Sequence, residues 1–120
     1  MSRKPEQRIG DIKLCCEKIL RFTSRMSQEQ LAAHQLVQDA VLRNIEIIGE
    51  AVKHLPNHIR AGMPAIEWRT IAAIPDWLWP DYDRVDPEIV WDVIENKVPG
   101  ILRTLQAFKD ENQPRAERPR

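Results

Sequence analysis

The sequence predicts an all-α protein, a single-domain bundle of four to five helices. Three observations carry that prediction. Apolar residues recur at steps of three, four and seven, the spacing of one face of a 3.6-residue helix, and no stretch carries the two-residue alternation of a strand or a hairpin signal. Helix-start chemistry recurs as well: "SQEQ" at 27–30 is a capping box, and "DP" at 86–87 puts aspartate at a cap and proline at the first helical position. A chain of 120 residues has the length for one hydrophobic core and falls short of a second.

The elements follow in order. Residues 1–8 and 110–120 are polar and proline-containing, without apolar periodicity, and read as flexible ends outside a helical domain of residues 9–109. Residues 9 to 22 carry Ile12, Cys15, Cys16, Ile19 and Leu20 at helical spacing, which predicts an amphipathic helix. A second helical stretch starts at the Ser27 cap. From 35 to 55, Val37, Val41, Ile48, Ala51 and Leu55 form the seam of a long helix that Pro56 ends. "NHIRAGMP" reads as a short turn of helix, and "RTIAAI" opens a further helix that runs toward Pro75 and Pro80. The last helix starts at Asp86-Pro87 and continues to about Phe108, buried along Ile89, Val90, Val93, Ile94, Val98, Ile101, Leu102 and Leu105, with a kink or break expected at Pro99-Gly100.

Eighteen basic and eighteen acidic residues cancel, so no global field draws the chain to nucleic acid or to an anionic membrane, and any RNA contact has to be local. No apolar run approaches the roughly 20 residues of a membrane span. Cys15 and Cys16 are adjacent, poor geometry for a disulfide and too few ligands for zinc, which points to a reduced, cytoplasmic compartment. There is no phosphate-binding glycine loop, no metal-ligand spacing and no nucleophile elbow. His34, His54 and His58 are single histidines on helical segments, and Asp76, Asp81, Asp83 and Asp86 read as turn and cap carboxylates.

Two features invite function. Arg43, Glu50 and His54 share a stripe of the long helix with Leu36, Ala40 and Ile47, either a salt-bridged face with Glu46 or part of a cleft or interface. Four tryptophans, Trp68, Trp77, Trp79 and Trp91, are many for this length, and Trp77 and Trp79 sit between the two prolines, in the core or on an interface.

"QDAVLRNIEIIGEAVKHLP", "IEWRTIAAI" and "VDPEIVWDVIENKVPGIL" stand in an order and at intervals that closely resemble the HepT-like branch of the HEPN superfamily over about residues 10 to 108. The resemblance implies an all-α fold that dimerises through its long helices, a metal-independent ribonuclease toxin without cofactor, and a partner, the MNT-type nucleotidyltransferase antitoxin. It also implies a catalytic Arg, a His five positions on, and a Tyr two beyond. The Arg supplies a cationic fork for the scissile phosphate, and the His moves the proton of the 2′-hydroxyl. In this chain those positions are Pro75, Pro80 and Tyr82, and no histidine has an arginine at the corresponding distance upstream. Tyr82 is where the partner would attach AMP, a charge switch at the RNA site. The prolines also predict a shortened or broken helix there, because each removes a backbone donor and restricts the residue before it.

Three readings follow. One is a degenerate subunit that keeps fold, dimer and antitoxin partner. Another is a working ribonuclease rebuilt from residues such as Arg69, Arg84, Asp76 and His54, with Asp81 a further proton acceptor. The third is a non-catalytic RNA-binding or scaffolding module that stacks bases on Trp77 and Trp79.

Overall fold

The computed structural model describes residues 3–78 and 85–112, with side chains as far as residue 108. Among them every regular element is helical: α1 (Pro5–Thr23), α2 (Gln28–Ala32), α3 (Gln35–Lys53), α4 (Asn57–Ala61), α5 (Trp68–Trp77), α6 (Pro87–Asp92), a π-helical turn (Val93–Lys97) and α7 (Val98–Asn112). The last three run on as one long helix. With α1, α3 and α5 it makes the four long members of an all-α bundle, and α2 and α4 are single-turn connectors. Helix α3 packs against both α1 and α5, and α1 also packs on α7.

Local chemistry explains the boundaries. Helix α1 begins at Pro5, a turn earlier than the apolar pattern indicates, because proline suits the first helical position and the Gln7 side chain accepts from the Lys4 backbone N–H at 2.9 Å. The Ser27 capping box forms as expected, with Gln30 N–H donating to Ser27 Oγ at 3.1 Å and Ser27 N–H to Gln30 Oε1 at 2.9 Å. Helix α3 starts afresh at a cap that apolar periodicity does not reveal. The Nδ1 of His34 accepts from Val37 N–H at 3.3 Å, and the Gln38 amide closes the end of α2 by donating to the Leu31 and Ala32 carbonyls. Asp86 caps α6 by accepting from Glu88 and Ile89.

Two expectations about proline are corrected. Helix α5 continues through Pro75 to Trp77 and is not broken there. Pro75 stands in its last turn, so the missing N–H costs one hydrogen bond near an end that frays anyway. The irregularity of the last helix falls at Val93–Lys97, one turn before Pro99, and α7 is regular across Pro99 and Gly100. Without a Pro99 N–H the normal ladder cannot pass, and the wider π turn, in which Val98 N–H reaches the Val93 carbonyl, accommodates the ring.

The core is continuous and includes Ile12, Cys16, Ile19, Val41, Val52, Ile74, Leu78, Val90, Val98 and Leu105, all essentially without exposure. Trp68 belongs to it, with its indole N–H donating to the Arg60 and Met63 carbonyls at 2.9 and 3.1 Å, which fastens α4 and the following loop to α5. Trp91 is half-buried and Trp77 is exposed, while Trp79 lies outside the described residues.

Cys15 and Cys16 are free thiols inside the core. Burial raises both, and it pushes Cys16 up to about 12, with smaller upward contributions from Cys15 and Glu17. In the unfolded chain the same thiol ionises near 9.0. The stability that comes from keeping this thiol neutral is therefore complete below pH 9 and is lost as pH rises from 9 toward about 12. Urea denaturation at stepped pH should show an alkaline loss of stability that is shallower in Cys16→Ala, and equal slopes in the two proteins would contradict it.

Candidate functional site

The exposed stripe of α3 forms the floor of a groove. Along it Leu36, Arg43, Glu50 and His54 are exposed and Ala40 and Ile47 half-buried. Arg43 pairs with Glu46 at 3.6 Å, and His54 Nε2 meets Glu50 Oε1 at 3.1 Å, each pair on successive turns. Both pairs are well exposed, so their contribution to stability is small. The walls come from the flanking helices: Arg8 and Asp11 of α1 on one side, Pro75 and Asp76 of α5 on the other, enclosing about 550 Å³. Asp11 is held by Arg3 in a two-pronged contact of 2.8 Å per arm.

Pro75 closes one end of this groove. Its ring lies over Gly49, where an added Cβ would stand only 2.8 Å from Pro75 Cγ and 3.2 Å from Cδ. Glycine is required here for close approach of helices, not for backbone conformation, since no glycine has a positive φ among the described residues.

The groove brings together Arg43, Glu50, Pro75 and Asp76, with His54 attached through Glu50. Arg69 stands apart. It precedes Asp76 by two turns of α5, roughly 10 Å, and faces a separate cleft with Arg60 and Trp68. Trp77 is 43% exposed at the end of α5, beyond the groove lining. Pro80, Asp81, Tyr82 and Arg84 lie outside the described residues. Arg8 and Asp11 are groove residues that sequence reasoning missed. Arg8 was placed in a flexible end, and the signal that finds it is proline at position 5 as a helix start.

Chemically the groove is mixed. Arg8, Arg43 and Lys53 face Asp11, Glu46, Glu50 and Asp76, a lining with no cationic surplus. Among the described residues no three His, Cys, Asp or Glu side chains converge as metal ligands, and no helix is long and apolar enough to cross a membrane.

A family model described as "Ribonuclease HepT-like" matches residues 12–108, most of the bundle including α3 and α5 of the groove, while the groove residues Arg8 and Asp11 precede the match. The chain belongs to the HepT-like ribonuclease family. Among HepT-like relatives, "Probable ribonuclease HepT" of Thermococcus cleftensis is 34% identical over 109 residues, covering 91% of this chain and 99% of its own. A Methanocaldococcus jannaschii protein named "Putative RNase MJ0127" is 35% identical over 88 residues, 73% of each chain. A third, "Putative RNase TTE0752" of Caldanaerobacter subterraneus, is 33% identical over 91 residues, covering 76% of this chain and 81% of its own. No solved structure gives a significant match. In this HepT-like chain the long helix α3, with its "RNIEIIGEA" run, supplies the groove floor, and "WRTIAAIPDW" supplies the wall that carries Pro75.

Proposed function

We propose that this chain is a catalytically degenerate HepT-like subunit of a HEPN/MNT toxin–antitoxin pair. It acts in the cytoplasm as a homodimer that binds its nucleotidyltransferase antitoxin and does not cut RNA. The observation that carries the reading is Pro75. At the position where the family resemblance places a phosphate-binding arginine, the chain has an uncharged ring packed against Gly49. Among the described residues no cationic surplus replaces that charge, because the groove's three cations stand among four carboxylates and Arg43 is already paired. A phosphodiester entering this groove would meet as much repulsion as attraction. Proton transfer would fall to a solvent-exposed carboxylate such as Asp76 in place of a histidine, the side chain most often used for that step. Tyr82 keeps the position for AMP attachment even though little activity remains to be silenced.

Relatives named as ribonucleases favour a second reading, an active ribonuclease toxin that uses the groove of Arg43, Glu50 and Asp76, with His54 beside Glu50. One experiment separates the two. Purified chain is incubated with RNA beside a Pro75→Arg/Pro80→His double variant, and each is co-expressed with the nucleotidyltransferase. The expected result is no cleavage by the native chain, a gain of at least about 10²-fold in the double variant, the low end of acid–base catalysis, and co-purification of the partner with both. Cleavage or growth arrest by the native chain alone overturns the degenerate reading.

A further inference from the structure

A group of cationic side chains stands at the opposite end of α5 from Pro75. Two clefts lie on either side of the first turn of that helix and share Glu67 and Thr70. One, of about 500 Å³, is bounded by α4 and carries Arg60 and Arg69. The other, of about 300 Å³, is bounded by the π turn and the start of α7 and carries Lys97 and Arg103. Together they set four cations against one carboxylate, in a chain whose charges sum to zero and whose groove along α3 has more carboxylates than cations. None of the four cations is in an ion pair among the described residues.

The site is built on fixed parts. Arg60 is held through its backbone carbonyl by the Trp68 indole and through its guanidinium by the Asn57 side chain, yet its buried Nε–H has no acceptor among the described residues. Glu67 makes no side-chain hydrogen bond to the start of α5, which leaves the first turn of that helix without a side-chain cap. The π turn carries Asn96 and Lys97 to the second cleft. Guanidinium forks, an ammonium and an uncapped helix start all suit phosphate oxygens.

We infer that the paired clefts formed by Arg60, Arg69, Lys97 and Arg103 around the start of α5 are a binding surface for the phosphodiester backbone of single-stranded RNA. Four cations on three separate helical elements fit successive phosphates of one strand better than a single phosphate group. The Trp68 ring is buried and fastened at its N–H, so it offers no face for base stacking, and the surface reads backbone with little sequence preference. This goes beyond the proposed function and holds whether or not the chain cuts.

The test is fluorescence anisotropy of a labelled 2′-O-methyl 12-mer, which lacks the attacking hydroxyl, so binding is read independently of cleavage. Four contacts predict a slope of about −3 in log affinity against log salt, from −0.7 per contact on single strands. Arg69→Gln/Arg103→Gln, both exposed helix positions that leave the core intact, should weaken binding at least tenfold at low salt and bring the slope to about −1.4. Lys13→Gln/Arg21→Gln on α1 removes the same charge elsewhere and should stay within twofold. Circular dichroism checks that all variants are folded. AMP and inorganic phosphate serve as competitors and should displace the strand only at concentrations far above that of the strand's own phosphates. Equal losses in the two double variants, no binding by the native chain, or displacement by free phosphate at matching concentration would each overturn the assignment. So would a nucleotidyltransferase complex that needs Arg69 and Arg103 while RNA does not.

Discussion

Gly49→Ala is expected to destabilise the fold by up to about 2 kcal/mol, although alanine is the better helix former at a mid-helix position. Alanine's intrinsic advantage over glycine is about 1 kcal/mol. The added methyl would stand 2.8 Å from Pro75 Cγ, inside the contact distance of real carbon pairs, and a proline ring cannot rotate out of the way. Either α3 and α5 separate or α5 shifts along its axis, and overpacking of this kind costs about 1–3 kcal/mol. The diagnostic is the partner substitution. In a Pro75→Ala background the methyl has room, residue 75 regains an N–H for the helix, and Gly49→Ala should become neutral or stabilising. A double-mutant cycle by urea denaturation reads the coupling directly. An unchanged Gly49→Ala penalty in the Pro75→Ala background would mean that the proline ring is not what crowds Gly49.

Leu105→Ala should cost more, about 2–5 kcal/mol, a large part of the 5–15 kcal/mol typical of whole domains. Leu105 is completely buried on α7, the helix that closes the bundle against α1. Its removal loses transfer free energy and leaves a cavity that the surrounding helices refill only in part. The control is Leu14→Ala on α1, the same chemistry at a residue that is 50% exposed, which should stay within about 0.5 kcal/mol. Midpoints of denaturation with an unchanged slope should separate the two, and similar values for both would contradict the placement of α7 on the core.

The helices were legible because each is announced by residues close in sequence. Ser27 with Gln30 and Asp86 with Pro87 act within a single turn, so their caps could be read directly and are found as read. The apolar seam of α3 and the buried face of α6 and α7 follow from the 3.6-residue period in the same way. What failed concerned compensation over a longer range. Proline was read as a breaker at Pro75 and as a kink at Pro99, yet α5 passes Pro75 and the last helix absorbs Pro99 through a π turn one turn earlier. Local sequence states that a hydrogen bond is lost. It does not state which neighbouring turn will widen, or which glycine on another helix will make room.

The candidate site divides along the same line. The stripe of Arg43, Glu50 and His54 was visible from spacing, and the family resemblance, through the order of the "IIGEA", "WRTIA" and "VDPEIVW" blocks, aligned its arginine and histidine positions with Pro75 and Pro80. Arg8 and Asp11 joined the groove only when α1 was laid beside α3. Arg60 with Arg69, and Lys97 with Arg103, line two clefts that share Glu67 and Thr70, an arrangement set only when α4 and the last helix meet the start of α5. By itself, then, the sequence determined the helices, the all-α class and the family, because caps, periodicity and motif order are short-range properties of the chain. Which charges stand together was decided by tertiary packing, because the distance between residues on different helices depends on how those helices are set side by side.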